Sequence, residues 1–277
     1  FVLGEFSWYR QNFYKDSSNR FNTNSSFESK NLRPHLRMQF DYEINKYRLF
    51  SVTYQGNLSY AQNHNITQYT NINRFEEAYK FSTRDNDTYA DGYNHGLGLS
   101  YTIKNKKNIL DVCRIFLNGN IGKNISDRDY YQEYLNSSYL LTGDSTQNQF
   151  FNNYSKNISV RVNYDRPLKK AISISTGAAF LYNNNHTSIN TTFLNKLDSS
   201  FNINDLLSND FQFHQYIVTA RLALIFYLKY EFKITVGAQA EFTNSAFKFI
   251  KANSDDVKSG YNNVLPNLTI RKDFGKK

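Results

Sequence analysis

No run of 18 or more apolar residues occurs in this 277-residue chain, which excludes a helix that crosses a membrane. Only three prolines are present, and no stretch rich in glycine and proline marks a linker, so residues 1–277 read as a single domain. The one cysteine, Cys113, has no partner for an internal disulfide or a thiolate metal site, and stability must come from strand pairing and burial. The residues after Phe1 lack the basic segment and apolar core of an export signal. Chemical motifs are missing too. His35, His64, His95, His186 and His214 are scattered without HExxH or other ligand spacing. Asp85, Asp87 and Asp91 approach a calcium loop, but Tyr89 stands where an aspartate or asparagine ligand is required. No GxSxG element and no phosphate-cradling glycine-rich loop appears. These patterns predict no catalytic residue, no cofactor and no metal site.

What the sequence does have is alternation. From Leu36 to Tyr60, Leu36, Met38, Phe40, Tyr42 and Ile44 oppose Arg37, Gln39, Asp41 and Glu43; after Asn45-Lys46, Phe50, Val52, Tyr54, Gly56, Leu58 and Tyr60 oppose Ser51, Thr53, Gln55, Asn57 and Ser59. Period two means β-strands, and the polar break predicts an antiparallel hairpin. Each arm meets the ~9–11 residues a tilted strand needs to cross a bilayer, against ~5–6 in globular proteins. One face is aliphatic with aromatics towards the ends and the other is polar, which suits lipid on one side and a watery lumen on the other. The mean hydropathy of −0.65 does not decide between soluble and membrane classes, because a barrel exposes only alternate residues to lipid. The net charge of +9 suits nucleic acid or an anionic lipid surface, yet lysines gather at turns, such as Lys104, Lys106, Lys107, Lys169 and Lys170, and form no continuous basic face; nucleic acid is not an expected partner.

The pattern recurs at Tyr93–Ile103, Cys113–Ile121, Ile158–Tyr164, Ile172–Tyr182, Tyr216–Phe226, Phe232–Phe242 and Asn263–Phe274, with a less regular strand at Phe1–Tyr14. About ten strands result, an antiparallel up-and-down transmembrane β-barrel. Short turns near Asn45, Asn105, Arg166 and Lys229 recur at intervals of roughly 60 residues, the Arg166 turn being Asp165-Arg166-Pro167-Leu168. Between them lie polar stretches, Asp16–Lys30, Ala61–Asp91, Lys123–Asn153 and Asn183–Asp210, which predict long outer loops, with a helical turn within Leu194–Leu207. Aromatics gather beside the short turns, among them Tyr42, Tyr47, Phe50, Tyr101, Tyr164, Tyr227, Tyr230, Phe232 and Phe274, as one interfacial girdle. An open sheet would leave unpaired edges in lipid, so further strands are expected after Gly275-Lys276-Lys277.

The repeated unit, turns such as Tyr42-Glu43-Ile44-Asn45-Lys46, and the Leu265-Pro266-Asn267-Leu268 entry into the last strand resemble the outer-membrane β-barrel family common in Bacteroidetes, the barrel region of TonB-dependent receptors. The resemblance implies a larger barrel, plugged by an N-terminal domain, that imports a bulky solute across the bacterial outer membrane with energy from a TonB system. No plug or TonB-box segment is recognisable within the 277 residues. Arg37, Asp41, Glu43, Arg161, Arg221 and Glu241 are the lumen residues placed to meet a solute or to pair with one another, and Tyr130, Tyr131 and Tyr134 are loop aromatics suited to stacking or to loop packing. Three alternatives stay open: a surface adhesin or structural barrel, an outer-membrane hydrolase built on His95 or His214, and a secreted soluble β protein that binds glycans.

Overall fold

In a computed structural model, which describes residues 1–14, 17–251 and 256–272, the chain is one antiparallel sheet. Its strands are β1 (Val2–Tyr14), β2 (Ser17–Leu32), β3 (His35–Asn45), β4 (Arg48–Ile72), β5 (Ala78–Lys104), β6 (Val112–Asn136), β7 (Leu141–Lys169), β8 (Ile172–Asn195), β9 (Ser200–Ile203), β10 (Asn209–Tyr227), β11 (Phe232–Phe249) and β12 (Val257–Lys272). The sheet runs β1-β2-β4-β5-β6-β7-β8-β10-β11-β12 without closing, with β3 paired to β4 and β9 to β8 off this path. Two strands share a rung: β3 pairs with the first half of β4 and β2 with its second half. Pro34 separates them because it has no N–H to give the ladder, but its carbonyl still accepts the Leu58 N–H at 3.0 Å. The expected Asn263–Phe274 strand is β12 as far as Lys272, and Asp16, Phe274 and the three residues that follow it lie outside the described residues.

The sheet has no second layer. Val112 is the one buried hydrophobic residue among those described, while Leu36, Met38, Phe40, Leu97, Val160 and Leu222 are exposed. The accessible surface is 19200 Å²; a globular monomer of this mass would expose about 12,400 Å². Such a sheet exposes apolar area that water does not tolerate and lipid does.

The stretches expected as long loops are strand. β4 to β8 run 24–29 residues each, about 80–95 Å at ~3.3 Å per residue, several times the ~25 Å apolar band of a barrel. Residues 61–72 pair with 78–90, and residues 123–134 pair with 143–154. Asn, Ser, Thr and Tyr satisfy the ladder while both faces meet water, so nothing imposes a hydrophobic alternation there. The turns that close β4–β5 and β6–β7 at this distal end are as tight as those at the other. Asn73 and Asn136 each cap their turn, the Oδ1 of Asn73 accepting the N–H groups of Phe75 and Glu77 and that of Asn136 those of Ser138 and Leu140. The left-handed positions fall on Glu76 (φ 65°) and Tyr139 (φ 60°); Arg20 holds the first in a two-pronged ion pair and Phe81 stacks on the second at 4.3 Å. Leu194–Leu207 holds β9 between two turns instead of a helical segment. β7 also continues through Asp165-Arg166-Pro167-Leu168 to a turn at Lys170-Ala171, a register shift between Pro167 and Lys169 absorbing the missing N–H.

Candidate functional site

Unbroken register carries each alternation across the sheet. One row reads Phe40, Val52, Leu99, Leu117, Val160, Phe180, Val218, Phe242, and the next Tyr42, Phe50, Tyr101, Ile115, Val162, Ala178, Ala220, Ala240. The described strand positions expected to face lipid that have a register partner therefore share one side. The band descends along the register: the rung of Phe50, at the band's lower limit on β4, reaches Ala240 on β11, where the band continues down to Phe232, the stagger that tilted barrel strands require. Tyr42, Phe50, Tyr101, Tyr164 and Phe232 form the expected lower girdle. A second girdle closes the band above, where the Tyr54 hydroxyl meets His95 Nδ1 at 2.8 Å and Tyr182 stacks on His214 with its hydroxyl 3.4 Å from Nδ1. Gly56 makes the first contact possible, since a Cβ there would lie 2.8 Å from the Tyr54 hydroxyl. His95 and His214 are thus amphipathic boundary residues. Among the described residues, no serine or cysteine bonds to any of the five histidines; their partners are tyrosines, aspartates and, for His35, Asn57.

The opposite, polar face carries fixed networks. Arg114 pairs with Asp165 at 2.7 Å, and the Ser175 hydroxyl donates to the other Asp165 oxygen at 2.7 Å. Arg221 Nη2 donates to Asn163 Oδ1 at 2.9 Å across Gly177, where a Cβ would come within 2.8 Å of that oxygen. Arg161, Thr219, Gln239 and Glu241 line the same depression, and Glu241 accepts from the Tyr261 hydroxyl at 3.4 Å. Gln39 donates to Asp41 at 2.9 Å, whereas Arg37 and Glu43 lie on the exposed β3. Arg221, Glu241 and Asp41 are therefore held in polar contacts, and Arg161 sits beside the first two. Arg114, Asn163 and Asp165 join them although the sequence does not mark them as solute contacts, Asp165 because Pro167 two residues later reads as a turn.

In the distal half the same face is cationic and aromatic. Arg84 lies over Tyr69 (5.6 Å) and Tyr130 (5.9 Å), anchored through Nε and Nη2 to Gln132 at 3.1 and 2.8 Å. Arg128 lies over Tyr130 and donates to its hydroxyl at 2.8 Å, and Lys80 lies over Tyr134. Arg128 Nε and Asn86 Oδ1, on this face, are shut off from solvent without a hydrogen-bond partner. The carboxylates of residues 78–91, 123–136 and 141–156, namely Asp85, Asp87, Asp91, Asp127, Asp129, Glu133 and Asp144, all fall on the opposite side. Of the three loop aromatics, Tyr130 and Tyr134 thus join the cationic face, and Tyr131 joins the acidic one. There its hydroxyl donates to Glu133 at 3.0 Å, and that hydrogen bond, with desolvation and the charges of Glu133 and Asp144, holds its proton above the usual tyrosine range.

The model of a family described as outer membrane protein beta-barrel family matches residues 114–277. No curated protein matches the chain. Among solved structures, the ferric citrate transporter FecA in its unliganded form is similar at 11% identity and a TM-score of 0.43, over 97% of this chain and 41% of that one. The chain thus spans less than half the length of that transporter.

Proposed function

Because the chain belongs to the outer membrane protein beta-barrel family and resides in the bacterial outer membrane, we propose that it forms part of the wall of a receptor-type importer. In this reading the distal half binds a bulky anionic solute outside the cell, and the polar face leads it inward with energy from a TonB system. The observation that carries the reading is the confinement of the carboxylates to one face of the distal half. Arg84, Arg128 and Lys80 are oriented by aromatic rings on a face that holds no carboxylate along residues 78–91, 123–136 and 141–156. Guanidinium groups so oriented lose little freedom on meeting an anion, and the partnerless Arg128 Nε gains an acceptor. Membership of a barrel family supports a non-enzymatic barrel.

The test uses cells that display the full-length protein and a labelled sulfated oligosaccharide. Surface binding is expected to weaken at least tenfold in Arg84→Ala and Arg128→Ala, and internal accumulation to stop when a protonophore collapses the proton gradient. Binding without accumulation would replace the importer by an adhesin. Equal binding of a neutral oligosaccharide would remove the anionic preference.

A further inference from the structure

The acidic face of the distal half holds a different group. His64 on β4 lies opposite Asp87 on β5, with Asp85 one same-face position further along. His64 Nδ1 is 2.9 Å from Asp87 Oδ1 and 3.4 Å from Asp85 Oδ1, and the three donor atoms all lie within 4.8 Å of one another. The two His64 spacings match the edges of a coordination shell: bonds of about 2.1 Å put neighbouring donors roughly 3.0 Å apart at 90° and 3.4 Å apart at the tetrahedral angle. Asp85 Oδ1 is shut off from solvent and accepts no hydrogen bond, although its side chain as a whole is 44% exposed, and it faces His64 Nδ1 at 3.4 Å. A neutral imidazole there leaves the oxygen without a countercharge, which an ion would supply. Asp129 stands across from Asp87 and Asp127 across from Tyr89, adding negative potential on the same face, and Asn148 donates to both.

We propose that His64, Asp85 and Asp87 bind a first-row divalent transition-metal ion on the outer surface of the β4–β5 hairpin, above the membrane band. One imidazole nitrogen and two carboxylate oxygens form a mixed donor set that suits zinc or its neighbours better than calcium, which takes oxygen alone. The three side chains are each 40–44% exposed, so water completes the shell. The ion ties two adjacent strands together and offsets the carboxylate charge.

The test is calorimetric titration of Zn²⁺ into the tag-free full-length protein in detergent, with the visible absorption of Co²⁺ as a second readout. The expected result is one site in this hairpin, weakened at least tenfold in His64→Ala and in Asp85→Asn, with far-UV circular dichroism unchanged. Asp144→Asn removes a carboxylate from the same face that is already paired with Lys196, and should change affinity less than twofold. The proposal is overturned if the triad variants bind as the parent does, if Asp144→Asn weakens binding as much as they do, or if equimolar Ca²⁺ displaces Zn²⁺.

Discussion

Along β5, residues 93–103 set Tyr93, Leu97, Leu99, Tyr101 and Ile103 against Gly96, Gly98, Ser100 and Thr102, whereas residues 84–91 set Asp85, Asp87 and Asp91 against Arg84, Asn86 and Thr88. The same strand alternates throughout, but the quantity that alternates changes from hydropathy to charge. In the lower half two solvents meet the two faces, and a one-residue slip would drive every leucine into the polar interior and every polar group into lipid. In the distal half water wets both faces, so slippage costs little locally. The distal register is inherited through an unbroken ladder: β5 and β6 pair without a shift from Lys104 opposite Val112 to Lys80 opposite Asn136. The membrane-spanning half thus aligns Lys80, Arg84 and Arg128 on one distal face and the carboxylates on the other.

The sharpest break in this comparison comes from placing one charge in each half. Leu99→Arg or Val160→Arg puts a guanidinium on the apolar band and should cost about 2–4 kcal/mol. Thr146→Arg, on the same side of β7 but in the distal half, should change stability by no more than about 0.5 kcal/mol. Urea-dependent folding into lipid vesicles, followed by the heat-dependent gel shift of folded barrels, measures both. Equal costs would mean that lipid does not end where the hydropathy alternation ends.

How far the sequence could be read follows from the same contrast. Leu36, Met38, Phe40 and Tyr42 share one face with Phe50, Val52, Tyr54 and Leu58, as their alternation predicts, because lipid and water enforce the pattern; Leu49, opposite Glu43, is the exception. Ala61–Asp91 reads as loop because Tyr, Thr and Asn occupy both faces, and a hydrogen-bond ladder leaves no mark on hydropathy. The seven distal carboxylates carry a readable alternation, but only to a reader who follows charge instead of hydropathy. His64, Asp85 and Asp87 could not be joined from their spacing, since their meeting depends on where the Asn73–Glu77 turn closes; moved by one residue, His64 would stand opposite Asn86 or Thr88 and away from both carboxylates.

A smaller effect concerns how the distal half closes its hairpins. The described glycines include none with positive φ, and Ser199 (φ 57°) carries a left-handed position in the turn before β9. Unlike Glu76 and Tyr139, it shows no side-chain contact that offsets the strain. Ser199→Gly should stabilise this turn by up to about 1 kcal/mol, read as slower amide exchange in residues 200–203. Faster exchange would show that glycine's freedom in the unfolded chain outweighs the strain relieved.

The smallest expected effect lies next to it. The Asp198 carboxylate accepts the Ser200 hydroxyl at 2.7 Å and the Ser200 N–H at 3.0 Å. These bonds, the hydroxyl first, hold its pKa below the ordinary aspartate value. A depressed carboxylate pKa contributes stability that is fully present above the unfolded value, near ~3.9, and is lost as pH falls through the folded one. Because the group is fully exposed, the loss should be confined to this turn and leave the lower half untouched. In NMR spectra of the protein in detergent, the Ser200 amide should titrate with a midpoint below the ordinary aspartate range, and Ser200→Ala, viewed through its own amide, should raise that midpoint. A midpoint unmoved by the substitution would show that the backbone N–H alone holds the carboxylate. A lower-half amide that shifts over the same acid range would show that the two halves are coupled through the sheet more tightly than the contrast between them implies.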